Sequence, residues 1–110
     1  MTVEILELTL FVTDVDATAN FYQAAGLQLF CFDEPGYPRH YGGDLGFQLW
    51  TADARHPVSH FQMGFFVDDL AASVSQLTAV GAQWTCRFPN FVTTHDPDGN
   101  KINLAQRRTA

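Results

Sequence analysis

The sequence has 110 residues, of which 46% are apolar and ten are Phe, and its formal net charge is −6. This length predicts one domain with an ordinary core, which needs no disulfide or structural metal. The acidic balance argues against nucleic acid and anionic membranes as partners, and no apolar run approaches the length of a membrane span. The first residues show no signal-peptide pattern and the two cysteines lack zinc-type spacing. We therefore expect a cytoplasmic protein whose cysteines are free thiols that serve in packing.

The first half of the chain predicts a strand, a helix and three further strands. Apolar and polar residues alternate over residues 5–13, which is typical of a strand with one apolar face. The apolar face comprises Leu6, Leu8, Leu10 and Val12. Asp14 fits the N-cap of a helix over about 15–25 that Gly26 ends. The inward stripe of this helix comprises Val15, Ala19 and Tyr22. The later strands are expected over about 27–32, 38–42 and 45–51, with loops at Asp33–Gly36 and Ala52–Ser59.

The second half repeats the first after a shift of 55 residues, with no gap. Matched positions are Ala17 and Ala72, Gly26 and Gly81, Cys31 and Cys86, His40 and His95, and Leu49 and Leu104. The shift predicts a second helix that Asp69 caps and Gly81 ends. The residues expected to pack between this helix and its sheet are Phe61, Met63, Phe65, Val67, Leu70, Val74 and Leu77. Its strands are expected over 82–88, 91–95 and 100–106, with a tight hairpin at Asp96–Asn100. A duplicated unit that cannot bury its apolar face alone must pair with a copy.

Three features of the chain resemble the vicinal oxygen chelate superfamily. They are the segment Leu10–Asp14 with Phe21-Tyr22 and Gly26-Leu27 after it, the hairpin Asp96–Ile102, and the repeat. The superfamily includes glyoxalase I, the fosfomycin and bleomycin resistance proteins, and extradiol dioxygenases. The resemblance implies an α+β fold of two tandem βαβββ modules, about 1–55 and 56–110. Their curved mixed sheets would surround a cup, with the helices on the outer face, and a chain of this length would form a homodimer.

In metal-dependent members of that superfamily, four cup positions hold the metal ligands. The resemblance maps these positions onto Glu7, Gln48, Gln62 and Asn103. The residue pattern points to the same four, because each is a polar residue opposite the helix-facing row of its strand. One carboxylate and three amides are poor ligands for zinc, iron, nickel or manganese, so we expect no cofactor, with a divalent metal as the minority alternative. His60 shares parity with Gln62 and could reach the cup if the strand register moved by one pleat, but it fits a residue near solvent at the start of the strand better.

Further side chains are candidates for catalysis, for ligand binding or for the aromatic lining of the cup. Glu7 could act as a catalytic base or hold a cationic ligand, or it could simply bond to the neighbouring amides. His40 and His95 could assist proton transfer, although histidines beside turns are more often structural or exposed. The walls are expected to be Phe11, Phe66 and Trp50, with Phe88 and Phe91 at the rim. Trp50 fits a dimer interface equally well.

Three functions fit this sequence, and fold resemblance alone does not choose between them. The first is a metal-free binding protein similar to the bleomycin resistance branch, holding a neutral or cationic, partly aromatic small molecule. The second is a metal-dependent lyase, isomerase or dioxygenase of the glyoxalase I type with an atypical ligand set. The third is an interaction module that keeps the fold and has lost the chemistry. The amide-rich polar set favours the first.

Overall fold

The computed structural model describes residues 2–108 and contains two βαβββ modules in tandem. The first comprises β1 (Leu8–Val12), α1 (Val15–Ala25), β2 (Leu29–Phe32), β3 (His40–Gly43) and β4 (Phe47–Thr51). The second comprises β5 (Gln62–Val67), α2 (Leu70–Ala79), β6 (Trp84–Phe88), β7 (Phe91–His95) and β8 (Lys101–Gln106). The predicted α+β class and the module order are confirmed.

Each module forms one four-stranded mixed sheet, in the orders β1-β4-β3-β2 and β5-β8-β7-β6. The pairs β1–β4 and β5–β8 are parallel, and the other pairs are antiparallel. Both helices begin as predicted, because Asp14 and Asp69 each accept a hydrogen bond of 3.0 Å from the backbone N–H three residues on. These caps fix the residue at which each helix begins after its strand.

The helix-facing sides of the two sheets share one hydrophobic core. Its fully buried members include Val12, Ala19, Tyr22, Phe47, Leu49, Leu77, Ile102 and Leu104. The rings of Phe47 in β4 and Phe65 in β5 lie 6.5 Å apart, so the helix-facing rows of the two sheets meet directly. The opposite side of each sheet, which we call its cup-facing side, therefore points away from the other module. Between residues 2 and 108, no strand of one sheet pairs with a strand of the other.

A buried carboxylate joins the two modules. Asp96, in the hairpin between β7 and β8, accepts a hydrogen bond of 2.8 Å from the hydroxyl of Tyr22 in α1. The backbone N–H of Asp98 and that of Asn100 donate to the same carboxylate at 3.0 and 2.9 Å. Burial and the adjacent carboxylate raise the pKa of Tyr22 well above its usual value, so its hydroxyl remains a donor. The predicted hairpin thus also docks the second module onto the first.

The first strand is shorter than predicted. β1 begins at Leu8, the residue that pairs with Phe47 at the start of β4. Before Phe47 the chain turns through a short 3-10 segment, Asp44–Gly46, so earlier residues have no neighbouring strand to join. Leu6 is therefore 88% exposed and does not belong to the predicted apolar row.

The gapless repeat does not hold in the third strand of each module. Tyr41 pairs with Leu49, and Val92 pairs with Leu104, so β3 and β7 correspond by a shift of 51 residues. His40 and His95 are consequently not equivalent, which corrects the prediction from the sequence shift. The cause is loop 33–39 between β2 and β3, where the second module has only the turn Pro89-Asn90.

The cysteines are free thiols, as predicted, but they do not serve in packing. Cys31 and Cys86 lie on the edge strands β2 and β6, and both are exposed. An edge strand has no neighbour on its outer side, and neither helix covers these two positions. The prediction of a packing role was therefore wrong.

Candidate functional site

The cup-facing side of the first sheet begins with Gln48 and Trp50 in β4. Both are half-buried and alternate with the buried residues Phe47 and Leu49, as the strand pattern predicts. The indole N–H of Trp50 donates a 3.0 Å hydrogen bond to the Oε1 atom of Gln48. This bond orients the indole and uses one of the two lone pairs of the amide oxygen.

Aromatic rings cross this side of the sheet from strand to strand. The ring of His40 stacks on Trp50 with centroids 3.8 Å apart, and Phe32 stacks on His40 at 5.2 Å. Phe11, which pairs with Trp50 across the β1–β4 ladder, stacks on His56 at 4.4 Å. We call these five residues the aromatic row. Its stacked pairs are nearly parallel, with interplanar angles of 7–15°, and together they give the cup-facing side an aromatic surface.

Two members of the aromatic row were not predicted from the sequence. Phe32 lies in β2, two residues beyond Phe30 and on the opposite side from buried Leu29, so its parity could have indicated it. His56 comes from the segment between the modules, where Asp53 caps a turn. The N–H groups of His56 and Arg55 hold the pKa of Asp53 below its usual range. No periodic signal in the sequence marks His56, because it does not belong to a strand or helix.

The cup-facing side of the second sheet carries Gln62, Gly64, Phe66 and Asn103. Asn103 lies between two buried residues of β8, and its Oδ1 atom accepts a hydrogen bond of 2.8 Å from the hydroxyl of Thr93. Phe66 is 68% exposed and lines an open cavity of about 910 Å³. The same cavity is lined by Phe88, Phe91, Arg107 and Arg108. The predicted rim pair is also in contact, with the rings of Phe88 and Phe91 5.8 Å apart.

The four predicted polar positions do not come together within one chain. Gln48 and Asn103 occupy the cup-facing sides of different sheets, which point away from each other. Gln62 is exposed at the start of β5, opposite Lys101, and Glu7 is exposed immediately before β1. His60 lies just before β5, outside the paired strand that begins at Gln62.

These donors fit a transition metal poorly. The side-chain oxygens of Gln48 and Asn103 already accept hydrogen bonds from Trp50 and Thr93. An amide oxygen is a weak ligand for zinc, iron, nickel or manganese, and Glu7 is the only carboxylate of the four. Within residues 2–108, no group of three or more His, Cys, Asp or Glu side chains could hold a metal ion.

The charge of the chain is concentrated in its first half. Residues 1–55 contain eight acidic and two basic residues, whereas residues 56–110 contain four of each. Three of the four basic residues of the second half, Lys101, Arg107 and Arg108, lie in β8 or just after it. The two halves of the chain therefore differ in formal net charge, with the whole excess of acidic residues in the first half. Neither α1 nor α2, the α-helices of the described chain, is long and apolar enough to cross a membrane.

Comparisons with known proteins give the family of this chain. The family described as Glyoxalase-like domain matches residues 7–105. No match was found among curated proteins. Solved structures are similar over nearly the whole chain. TnmS3, an antibiotic-binding protein from Streptomyces sp. CB03234, is 19% identical with a TM-score of 0.67, and the alignment covers 97% of this chain and 98% of TnmS3.

Two further structures extend the comparison. The fosfomycin resistance protein FosX from Mesorhizobium loti is 13% identical with a TM-score of 0.71, covering 98% of this chain and 94% of FosX. Lactoylglutathione lyase from Agrobacterium tumefaciens is 25% identical with a TM-score of 0.59, covering 93% and 92%. The paired βαβββ modules and these matches agree: the chain belongs to the glyoxalase-like domain family of the vicinal oxygen chelate superfamily.

Proposed function

We propose that this protein binds a neutral or cationic, partly aromatic small molecule in a cup, without a catalytic metal. The observation that carries the proposal is the aromatic row beside Gln48 on a side of the sheet that the core does not use. Aromatic walls with a few amides suit a planar or amphipathic ligand. The similarity in fold to TnmS3, an antibiotic-binding protein, supports the same class of function.

The proposed cup needs a second copy of the chain. Within one chain the two cup-facing sides point away from each other, so neither can close over a ligand that lies on the other. Large apolar side chains stand exposed there, namely Phe30, Phe66 and Phe88 at 62%, 68% and 62%. Exposed apolar surface of this kind favours association. We propose a homodimer in which the first module of one copy faces the second module of its partner.

In this proposal Glu7, Gln48, Gln62 and Asn103 contribute polar contacts, and Phe11, Phe66 and Trp50 contribute the walls. The two exposed free thiols suit the reducing cytoplasm in which we propose that the protein acts.

The alternative function is a metal-dependent lyase, isomerase or dioxygenase of the glyoxalase I type. The fold similarity to lactoylglutathione lyase is the observation that favours it. In that case the carboxylate of Glu7 would be a metal ligand or a catalytic base, and the second module of the partner copy would complete the site. The engaged amide oxygens of Gln48 and Asn103 weigh against this alternative.

The metal content of purified protein separates the two functions. Protein that has never met a chelator should carry well under one equivalent of zinc, nickel, iron or manganese per chain. A full equivalent that disappears in Glu7→Ala would overturn the binding-protein proposal and support the enzyme. Ligand binding is tested by titrating planar aromatic compounds while following the emission of Trp50 in a Trp84→Phe background. We expect quenching, and isothermal titration calorimetry of Trp50→Leu, which lacks this fluorophore, should show weaker binding.

The mass in solution tests the homodimer. Sedimentation at micromolar concentration should give about twice the chain mass of 12.3 kDa. A monomer throughout that range would contradict the two-copy cup.

A further inference from the structure

A second feature of the first sheet is a cavity beneath loop 33–39. It has a volume of about 280 Å³ and lies at the outer end of the aromatic row. Its lining residues are Phe32, Glu34, Tyr37, His40 and Trp50. Four aromatic rings and one carboxylate therefore converge on a single small space, and no lysine or arginine lines it.

The loop presents its two polar side chains through one tight turn. The backbone N–H of Tyr37 donates to the carbonyl of Glu34 at 3.2 Å, and Gly36 between them has a φ of 90°. Proline at the second position and glycine at the third are typical of a type II turn, which brings its first and last residues together. Glu34 and Tyr37 are thus held beside each other at the mouth of the cavity.

An ion-pair network holds this loop from outside the cavity. The guanidinium of Arg39 donates to the carboxylates of Asp16 in α1 and Asp33 in the loop, at 2.9 and 3.0 Å. The hydroxyl of Tyr41 also donates to Asp16, at 2.7 Å. The network therefore pairs Asp33 with Arg39. By contrast, the carboxylate of Glu34 makes no ion pair within the described chain.

We propose that this cavity is a subsite for the cationic group of the ligand, with Glu34 as its counter-ion. The inference rests on the proposed function and adds the charge of the ligand and the place where that charge is bound. The ring of Tyr37 belongs to none of the stacks in the aromatic row, so its π-electron face can attract a quaternary or other organic cation. The adjacent carboxylate of Glu34 adds Coulomb attraction. An anionic ligand would be repelled by Glu34, and a neutral ligand would gain nothing from it.

A matched pair of probes tests the charge directly. The (3-hydroxyphenyl)trimethylammonium ion and 3-tert-butylphenol have the same shape and differ by one positive charge. Binding is followed by NMR through the indole N–H resonance of Trp50, which Trp84→Phe identifies. We expect the cation to bind roughly three- to tenfold more tightly than the phenol.

Variants test whether the preference for the cation over the phenol arises in this cavity. Glu34→Gln should weaken binding of the cation by roughly two- to fivefold, because the counter-ion is exposed and partly screened, and should leave the phenol unchanged. Glu4→Gln makes the same change in net charge outside the cavity lining and should alter neither affinity. Trp50→Leu removes this reporter, so its affinities are measured by isothermal titration calorimetry, and it should bind both probes more weakly.

The outcomes separate this subsite from the proposed function. Equal affinities for the two probes, or a Glu34→Gln effect that is the same for both, would overturn the cation subsite. If Trp50→Leu still weakens both probes in that case, the binding function stands. If neither probe shifts the Trp50 resonance, both the subsite and the proposed function are contradicted.

Discussion

The two modules are alike on their helix-facing sides and different on their cup-facing sides. Toward the core, Leu49 of β4 corresponds to Leu104 of β8, and both are fully buried. On the cup-facing side, Trp50 corresponds to Ala105, and Gln48 to Asn103. The first module also carries loop 33–39 where the second has a two-residue turn.

Packing and binding therefore place separate demands on alternate residues of the same strand. Both copies must bury an equivalent row under a helix, so those positions tolerate little change in size. The alternate residues face solvent or a ligand and can diverge, together with the local charge. The first module has become acidic and rich in stacked rings, whereas the second combines phenylalanines with basic residues.

The largest expected effect concerns the buried rows. Leu49→Ala and Leu104→Ala should each lower the free energy of unfolding by about 2–5 kcal/mol, because each leaves a cavity in the shared core. Gln48→Ala, one residue away on the other side of β4, should change it by much less. Urea unfolding of the three variants measures these changes in the free energy of unfolding. A larger loss for Gln48→Ala than for Leu49→Ala would reverse our assignment of the two sides.

The contact between the modules gives the next effect. Tyr22→Phe removes a donor to the buried carboxylate of Asp96 and should lower the free energy of unfolding by about 1–3 kcal/mol. Tyr41→Phe also removes a hydroxyl that donates to an aspartate, Asp16, but this pair is exposed within one module. Its effect on urea unfolding should be distinctly smaller. Equal losses would mean that the modules are not held together through Asp96.

Glycines in the two sheets should respond in opposite directions. A Cβ atom at Gly64 in β5 would meet only ordinary contacts, the nearest being the carbonyl oxygen of Asn103 at 3.6 Å. Gly64→Ala should therefore raise the free energy of unfolding by about 0.4–1 kcal/mol by restricting the unfolded chain. At Gly43 in β3, a Cβ atom would overlap the carbonyl of Gln28, so Gly43→Ala should destabilise the fold. Thermal unfolding measures the two effects, and midpoint temperatures that move in the same direction for both variants would contradict this contrast.

The smallest effect is a pH response confined to the first module. The hydroxyl of Tyr41, and then Arg39, hold the pKa of Asp16 below its ordinary value. The stabilisation from this lowered pKa is present above the ordinary carboxyl range and is lost as the pH falls through the lowered value. Below about pH 4, the protection factors for amide hydrogen exchange in loop 33–39 should fall, whereas those of the turn at Pro89-Asn90 should not change. Asp16→Asn should remove the response, and a response that persists in this variant would assign it elsewhere.

The sequence predicted most of the fold because its signals are local. Alternation placed Gln48, Trp50 and Asn103 on the correct side of their strands, and the aspartates before each helix marked both helix starts. The beginning of β1 was not predictable in this way, because a strand extends only as far as its neighbour. Leu6 continues the alternating pattern, but β4 begins too late to pair with it.

The gapless repeat was misleading for a different physical reason. Loop 33–39 lengthens the β2–β3 connection, and a shorter β3–β4 connection compensates, so the overall spacing of 55 residues survives on both sides. Only the strand between the two connections is displaced, which made His40 and His95 look equivalent. The stacking of His56 on Phe11 was also beyond prediction, because it depends on how the segment between the modules folds back.

Mixing two defective variants tests the central claim, that the cup is built from different modules of two copies. Trp50→Leu damages the first-module wall, and Phe66→Ala damages the second-module wall. By isothermal titration calorimetry, neither variant alone should bind the (3-hydroxyphenyl)trimethylammonium ion with wild-type affinity. Unfolding and refolding an equal mixture should restore about a quarter of the wild-type sites, because half of the dimers are mixed and each has one intact cup. No recovery of sites in a mixture that has refolded as dimers would contradict the claim.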